Sequence, residues 1–236
     1  MIGINYNYYN NLDLFKWVRD YYLCLDTEGY KFTVVDDGSQ KVPLPLDEIP
    51  EDWLFYLVTE DVGWNCNGAR NLIMRETDID WNIQIDLDMV ITPQSLKYIR
   101  ENIDTFNPYK VLNFASLPYN LIPTTPALVK KYGWELTEED KNSQYSCGYN
   151  VYICTKELFW QKGGYAELAH NGEYGGDYFL LDKFKPWQMD PNLTYFKVIY
   201  DATPKEWKNE SKRRFGYKNI GKDDGKRVNF NWKRIR

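Results

Sequence analysis

Two aspartates one residue apart, Asp86 and Asp88, close the run Trp81-Asn82-Ile83-Gln84-Ile85-Asp86-Leu87-Asp88. The run alternates. Trp81, Ile83, Ile85 and Leu87 share one face of an extended chain, and Asn82, Gln84, Asp86 and Asp88 share the other. That spacing sets the two carboxylates on one side, about 6–7 Å apart along a strand. Like charges so placed repel unless a cation or hydrogen bonds offset them. Oxygen-only ligands suit Mg²⁺ or Mn²⁺, which also bind substrate phosphates. The alternative is a polar strand face that ends in a solvated turn.

Four further segments carry groups that could do chemistry. Val34-Val35-Asp36-Asp37-Gly38-Ser39 ends an apolar stretch in two acids and a glycine. A carboxylate there can accept from a ribose hydroxyl or a base N–H, or it can simply make an Asp-Gly turn. Asn67-Gly68-Ala69-Arg70-Asn71 opens a helix. Its small residues permit close backbone approach, Arg70 suits a phosphate, and the helix N-terminus adds partial positive charge. A capped helix with one exposed arginine is the plainer reading. Gly163-Gly164-Tyr165 and Glu173-Tyr174-Gly175-Gly176-Asp177 set glycines ahead of an acid. Glycines there let a substrate approach a positioned carboxylate, and Asp177 also suits the N-cap of a following helix.

Alternating strands and helices must position these groups. Strands are expected at Ile2–Asn7, Phe32–Val35, Leu54–Val58 and Trp81–Leu87, with helices over Leu12–Leu25 and Gly68–Glu76. Thr92 can cap and Pro93 suits the first position of a helix that runs to Asn102. The second half predicts strands at Tyr109–Phe114, Asn150–Cys154 and Tyr195–Tyr200, a short helix at Lys156–Gln161, and a helix from Gly175 to Phe184. Such alternation implies an α/β fold with a mostly parallel central sheet flanked by helices. Ligands then sit beyond the C-terminal strand ends, where these acids fall.

Composition bounds the rest. The chain has 236 residues, 43% hydrophobic and 17% aromatic, with 20 tyrosines. One domain with a real core fits, and disorder throughout does not. No run of about 18 apolar residues exists, so no membrane span is expected. Met1-Ile2-Gly3-Ile4 reads as a first strand rather than a signal peptide, and a cytoplasmic location is expected. Without a secretory signal the sequons at Asn192 and Asn209 carry no weight. Cys24, Cys66, Cys147 and Cys154 show no CxxC spacing and read as reduced thiols. The net charge of −5 is uneven: residues 201–236 carry 12 Lys/Arg against 5 Asp/Glu, and residues 1–200 carry 17 against 29. A basic, aromatic-studded extension on an acidic body suits an anionic partner, or it serves solubility.

In their order, Ile4-Asn5-Tyr6, VVDDGS, NGARN, IDLD, GGY and GEYGGD resemble the inverting family 2 glycosyltransferases of the GT-A fold, over roughly residues 1–200. The resemblance implies a metal-dependent transfer of a sugar from a nucleotide-sugar donor, of the UDP class, to an acceptor hydroxyl. It implies donor contacts at Asn5, Asp36, Asp37, Arg70, Asn71 and Asp86, and a Mn²⁺ or Mg²⁺ ion at Asp88. Asp177 matches the position of the catalytic base. Tyr174, Gly175, Gly176 and His170 would lie on the acceptor side. Two departures stand out. Tyr178 follows Asp177 where the family often has a second acid, so either Glu173 substitutes or one acid serves alone. Many relatives place a metal-binding His after the last strand, where this chain has Asp201, so Asp201 is the expected further ligand. Residues 201–236 would form a basic extension packed on or near the active site. The acceptor is a glycan or a hydroxymethylated DNA base. Two other classes compete: a nucleotidyltransferase on a similar sheet, and a non-catalytic sugar- or nucleic-acid-binding protein. The first lacks a glycine-rich basic opening loop here.

Overall fold

The computed structural model describes residues 1–60, 65–116, 147–165, 184–185, 188–198 and 230–236, with the backbone alone at 147–149. Its strands are β1 (Ile2–Tyr8), β2 (Tyr30–Asp36), β3 (Leu54–Val58), β4 (Trp81–Ile85), β5 (Met89–Ile91), β6 (Leu112–Ser116), β7 (Cys147–Thr155), β8 (Gln188–Lys197) and β9 (Trp232–Arg234). The helices are α1 (Leu12–Leu23), α2 (Cys66–Glu76), α3 (Pro93–Asn102) and α4 (Lys156–Gln161). Among the described residues the strands form one nine-stranded sheet in the order β5-β8-β6-β7-β4-β1-β2-β3-β9.

The parallel expectation holds for half of this sheet. β3, β2, β1 and β4 lie side by side and parallel. Beyond β4 the sheet is mixed: β7 is antiparallel to both β4 and β6, and β5 is antiparallel to β8. Only β6 and β8 are parallel there. The cause is the edge at which the chain re-enters. A parallel neighbour needs a crossover back to the opposite edge. β6 runs the same way as β4, and the chain returns as β7 from the edge that β6 has reached.

Central strands covered on both faces read as continuous apolar runs. All seven residues of β1 are buried. Ile4, Tyr6 and Tyr8 pack in one cluster with Phe15, Val18, Tyr21 and Tyr22 of α1. Three tyrosine hydroxyls in that layer find backbone partners, as buried phenols need. Tyr6 donates to Met89 O at 3.1 Å, Tyr21 donates to Ile91 O at 2.8 Å, and Tyr22 accepts from Ile91 N at 3.0 Å. The three-residue strand β5 is thereby pinned to α1 and β1.

Each of these four helices starts on a side-chain cap, from Asn11, Asn65, Thr92 and Thr155. Such a cap stabilises by about 1 kcal/mol, because it satisfies a backbone N–H left open in the first turn. Thr92 accepts from Ser95 N with Pro93 in the first turn, as its sequence predicts. The chain's C-terminus is not a loose tail. β9 extends the sheet along β3, which would otherwise be an edge. Phe230 packs with Val35, Tyr56, Val58, Ala69, Leu72 and Ile73. The Arg75 guanidinium lies 5.1 Å from the Trp232 ring centroid. Residues 201–229 lie outside the described residues.

Candidate functional site

β4 stops at Ile85, one residue before the first acid. The next residues turn, closed by Met89 N donating to Asp86 O at 3.0 Å. The expected extended pair of carboxylates on one strand face is therefore corrected. Leu87 turns into the core, and Asp86 and Asp88 enter different surroundings. Asn82 and Gln84, assigned to the same polar face, are fully buried.

Asp86 is held from two sides. Its Oδ1 accepts from Arg70 Nη2, and its Oδ2 accepts from Asn150 Nδ2 at 2.7 Å. Arg70 is only 1% exposed, so it pairs inside the protein. Its Nη1 donates to Tyr165 Oη at 3.2 Å, and its guanidinium carbon lies 5.3 Å from the Tyr165 ring centroid. Tyr165 Oη in turn bonds Tyr152 Oη at 2.8 Å. Burial pushes the Tyr152 hydroxyl well above its ordinary range, so it stays neutral. Asn71 brackets the backbone of Tyr165: its Nδ2 donates to the carbonyl at 2.9 Å and its Oδ1 accepts from the amide at 3.0 Å. α2 is buried along nine residues, and its polar members must find such internal partners.

The Gly163-Gly164-Tyr165 segment is what delivers the ring. Gly163 and Gly164 have φ of +95° and +65°. A Cβ on Gly164 would sit 2.7 Å from Trp160 Cζ3 and 2.9 Å from Asn71 Oδ1. Only glycine fits that left-handed turn, which swings Tyr165 onto Arg70. Space above Gly68 is taken likewise, by Phe230 and by the Asn65 cap, not by a ligand.

The VVDDGS acids shape the loop after β2. Asp36 is fully buried and accepts from Ser39 N at 2.9 Å and Leu44 N at 2.8 Å. Burial pushes its carboxyl up, and those backbone donors pull it back. Asp37 Oδ2 accepts from Asn65 N, tying the end of β2 to the start of α2. Asn10, at φ 52°, accepts from Lys41 N at 3.0 Å and Val42 N at 2.8 Å. Loops after β1 and β2 are thus locked together beyond the C-terminal ends of those strands. Asn5 is not brought to this end. It sits mid-strand, 1% exposed, and donates to Asn82 Oδ1 at 3.1 Å.

Asp88 is the partly exposed acid, with 36% of its side chain accessible. Lys197 Nζ lies 3.5 Å from its Oδ2. Burial raises the Asp88 carboxyl above its ordinary range, and the Lys197 ammonium offsets only part of this. Among the described residues no group of three or more His, Cys, Asp and Glu makes a ready cation site. Both oxygens of Asp86 already accept a hydrogen bond and its charge is balanced by Arg70, so Asp88 is the carboxylate better placed to meet an ion. One carboxylate plus donor phosphates and water is a usual way to hold Mg²⁺, so the residues present fit such an ion.

Sequence reasoning brings Asp36, Asp37, Arg70, Asn71, Asp86 and Asp88 to this end of the sheet. It misses Asn150, Tyr152 and Lys197. A lone polar residue in a strand and a lysine at a strand end carry no local signal of partnership. Asp177, Tyr174, Gly175, Gly176, His170 and Asp201 lie outside the described residues.

A parallel four-strand half with acids beyond its strand ends is a Rossmann-like α/β arrangement. No family model and no curated protein matches the sequence. Solved structures do share its fold. One is S. aureus TarS 1-349, a GT-A-type family 2 glycosyltransferase, with TM-score 0.57 and 15% identity over 84% of this chain and 60% of that one. The likeness shows that the two chains share a mixed α/β fold built on a large central sheet. This chain spans less than two thirds of the TarS structure it matches. Among the described residues no helix is long and apolar enough to cross a membrane.

Proposed function

We propose that this protein is a glycosyltransferase that moves a sugar from a nucleotide-sugar donor, of the UDP class, to an acceptor hydroxyl with inversion. The observation that carries the reading is Asp88, a partly exposed carboxylate on a turn fixed at the C-terminal end of a parallel strand, in a fold shared with TarS.

The locked loops of residues 9–11 and 37–44 receive the nucleotide, with Asp36 and Asp37 as builders of that surface. Asp86, clamped by Arg70 and Asn150, presents a fixed carboxylate edge toward the donor's ribose or sugar. Asn71 and Tyr165 hold Arg70 in place, and Asn5 supports the strand beneath. Asp88, with Asp201 as a further ligand, would hold Mn²⁺ or Mg²⁺, which would supply positive charge for the diphosphate leaving group. Asp177 removes the proton from the acceptor hydroxyl, and Tyr174, Gly175, Gly176 and His170 border the acceptor. An ordinary ionised aspartate suffices, because the hydroxyl loses its proton late in the displacement. Residues 201–229 supply positive charge near an acceptor that is a glycan or a modified DNA base.

The test is a donor screen. The protein is incubated with Mn²⁺ and each common nucleotide sugar, and nucleoside diphosphate release is measured. Release with one donor, lost in Asp88→Asn and Asp177→Asn, supports the proposal. No release with any donor sinks it. A salt titration of DNA binding separates the two acceptors.

A further inference from the structure

Asp88 and Lys197 meet because two strands are held in register. Met89 of β5 pairs with Lys197 of β8, and Val198 N donates to Asp88 O at 2.7 Å. β5 cannot slide, since tyrosine hydroxyls grip Met89 and Ile91. β8 is gripped three residues before Lys197, where Thr194 Oγ1 bonds Thr92 Oγ1 at 2.8 Å and Thr194 N donates to Ser95 Oγ at 2.7 Å. A one-residue slip would send Lys197 to the opposite face of the sheet. The fold therefore brings an ammonium to this carboxylate by construction. Both side chains keep contact with water, at 40% and 36% exposure, so the pair can open without unfolding anything.

We propose that Lys197 is the resident counter-ion of Asp88 and competes with a divalent cation for that carboxylate, so that it sets the metal concentration at which the site loads. The inference rests on the reading of Asp88 as the metal-facing acid. Three observations support it. Each oxygen of Asp86 already accepts a bond, from Arg70 or from Asn150, and Arg70 balances its charge, so Asp88 is the acid better placed to meet an entering ion. The ammonium lies 3.5 Å from Asp88 Oδ2, within the range of an ion pair. At that range a fixed positive charge also repels a second one. The separation exceeds the roughly 2.7–2.9 Å of a tight charged hydrogen bond, so the pair yields to a stronger cation.

The test uses Mn²⁺ alone, with no donor, titrated into the full chain and followed by the electron paramagnetic resonance signal of free Mn²⁺. Lys197→Met removes the competitor and should tighten Mn²⁺ binding by roughly three- to tenfold, from the lost ion pair and the lost repulsion. Lys197→Gln, a second neutral variant, should behave the same way if methionine disturbs folding. Lys197→Arg keeps the charge and should keep the wild-type affinity. In an Asp88→Asn background the gain from Lys197→Met should vanish. Equal or weaker Mn²⁺ binding by both neutral variants would overturn the inference. So would a gain that survives Asp88→Asn, or no Mn²⁺ binding by any form. Failure of the glycosyltransferase reading looks different: no donor releases diphosphate, while the competition between Lys197 and Mn²⁺ stands.

Discussion

Removing the guanidinium of Arg70 should unfold this protein more readily than any single change at its surface. Arg70→Leu deletes a charged hydrogen bond to Asp86, a hydrogen bond to Tyr165 Oη and the contact over the Tyr165 ring. A charged hydrogen bond contributes about 1.5–3 kcal/mol and a neutral one about 1 kcal/mol. Breaking a buried pair by removing one partner costs about 3–5 kcal/mol, because the other charge stays behind. Here Asp86 keeps 22% exposure and its bond from Asn150, so water and the amide soften the loss. Tyr165 keeps its bond to Tyr152. The expected cost is therefore near the low end, about 3 kcal/mol. Urea unfolding checks it, as a lower midpoint at unchanged slope. Arg70→Lys should recover only part, since one ammonium cannot bond Asp86 and Tyr165 and stack on the ring together. A loss below about 1 kcal/mol for Arg70→Leu, in the range of exposed pairs, would refute the claim that the network is buried and coupled.

Three further outcomes follow from separate features. Gly164→Ala forces a side chain into a left-handed turn with no room, and should lower stability by about 1–3 kcal/mol in a thermal melt. Trp232→Ala removes the ring that covers Tyr56 and Arg75, and should cost about 1–2 kcal/mol while raising aggregation through the uncovered edge of β3, read by light scattering. Burial raises the hydroxyls of Tyr6, Tyr21 and Tyr152 well above the ordinary value of 10.0. An acid whose folded value is raised favours the folded state below its unfolded value, and that support is lost as pH rises toward the folded value. Stability should thus fall above about pH 10, and tyrosinate absorbance should grow in two phases, the later one coinciding with loss of helical circular dichroism.

What the sequence made legible was local. Thr92-Pro93 fixed a helix start because cap and first turn lie within four residues of each other. β3 and α4 fall where apolar runs and punctuation place them. The alternation through Asp88 misled for a tertiary reason. Arg70 lies 16 residues away from Asp86 and Asn150 lies 64 away, and together they pull the first acid out of the strand. Nothing in the octapeptide encodes those partners. β5 was invisible for the same kind of reason, since three residues make a strand only when Tyr6, Tyr21 and Tyr22 hold them and β8 pairs with them. The glycines of GGY were legible as special, but their use was not: they aim a tyrosine at an arginine rather than open a path for substrate.

The two acids of one short motif therefore differ in what they can change. Asp86 is built into a buried chain that runs from Asn71 through Tyr165 and Arg70 to Asn150. Asp88 touches the protein through its backbone and one half-exposed lysine. Asp86→Asn leaves the Arg70 charge buried without its carboxylate, so it should lower the urea midpoint, by about 2–4 kcal/mol when extrapolated to water. Asp88→Asn breaks only a partly exposed pair 3.5 Å apart and should shift stability by less than about 1 kcal/mol. Its effect should appear in ligand measurements instead: Mn²⁺ binding falls while the unfolding curve stays in place. Equal destabilisation by the two variants would mean that Asp88 is also a structural acid, and the division of labour between them would be wrong.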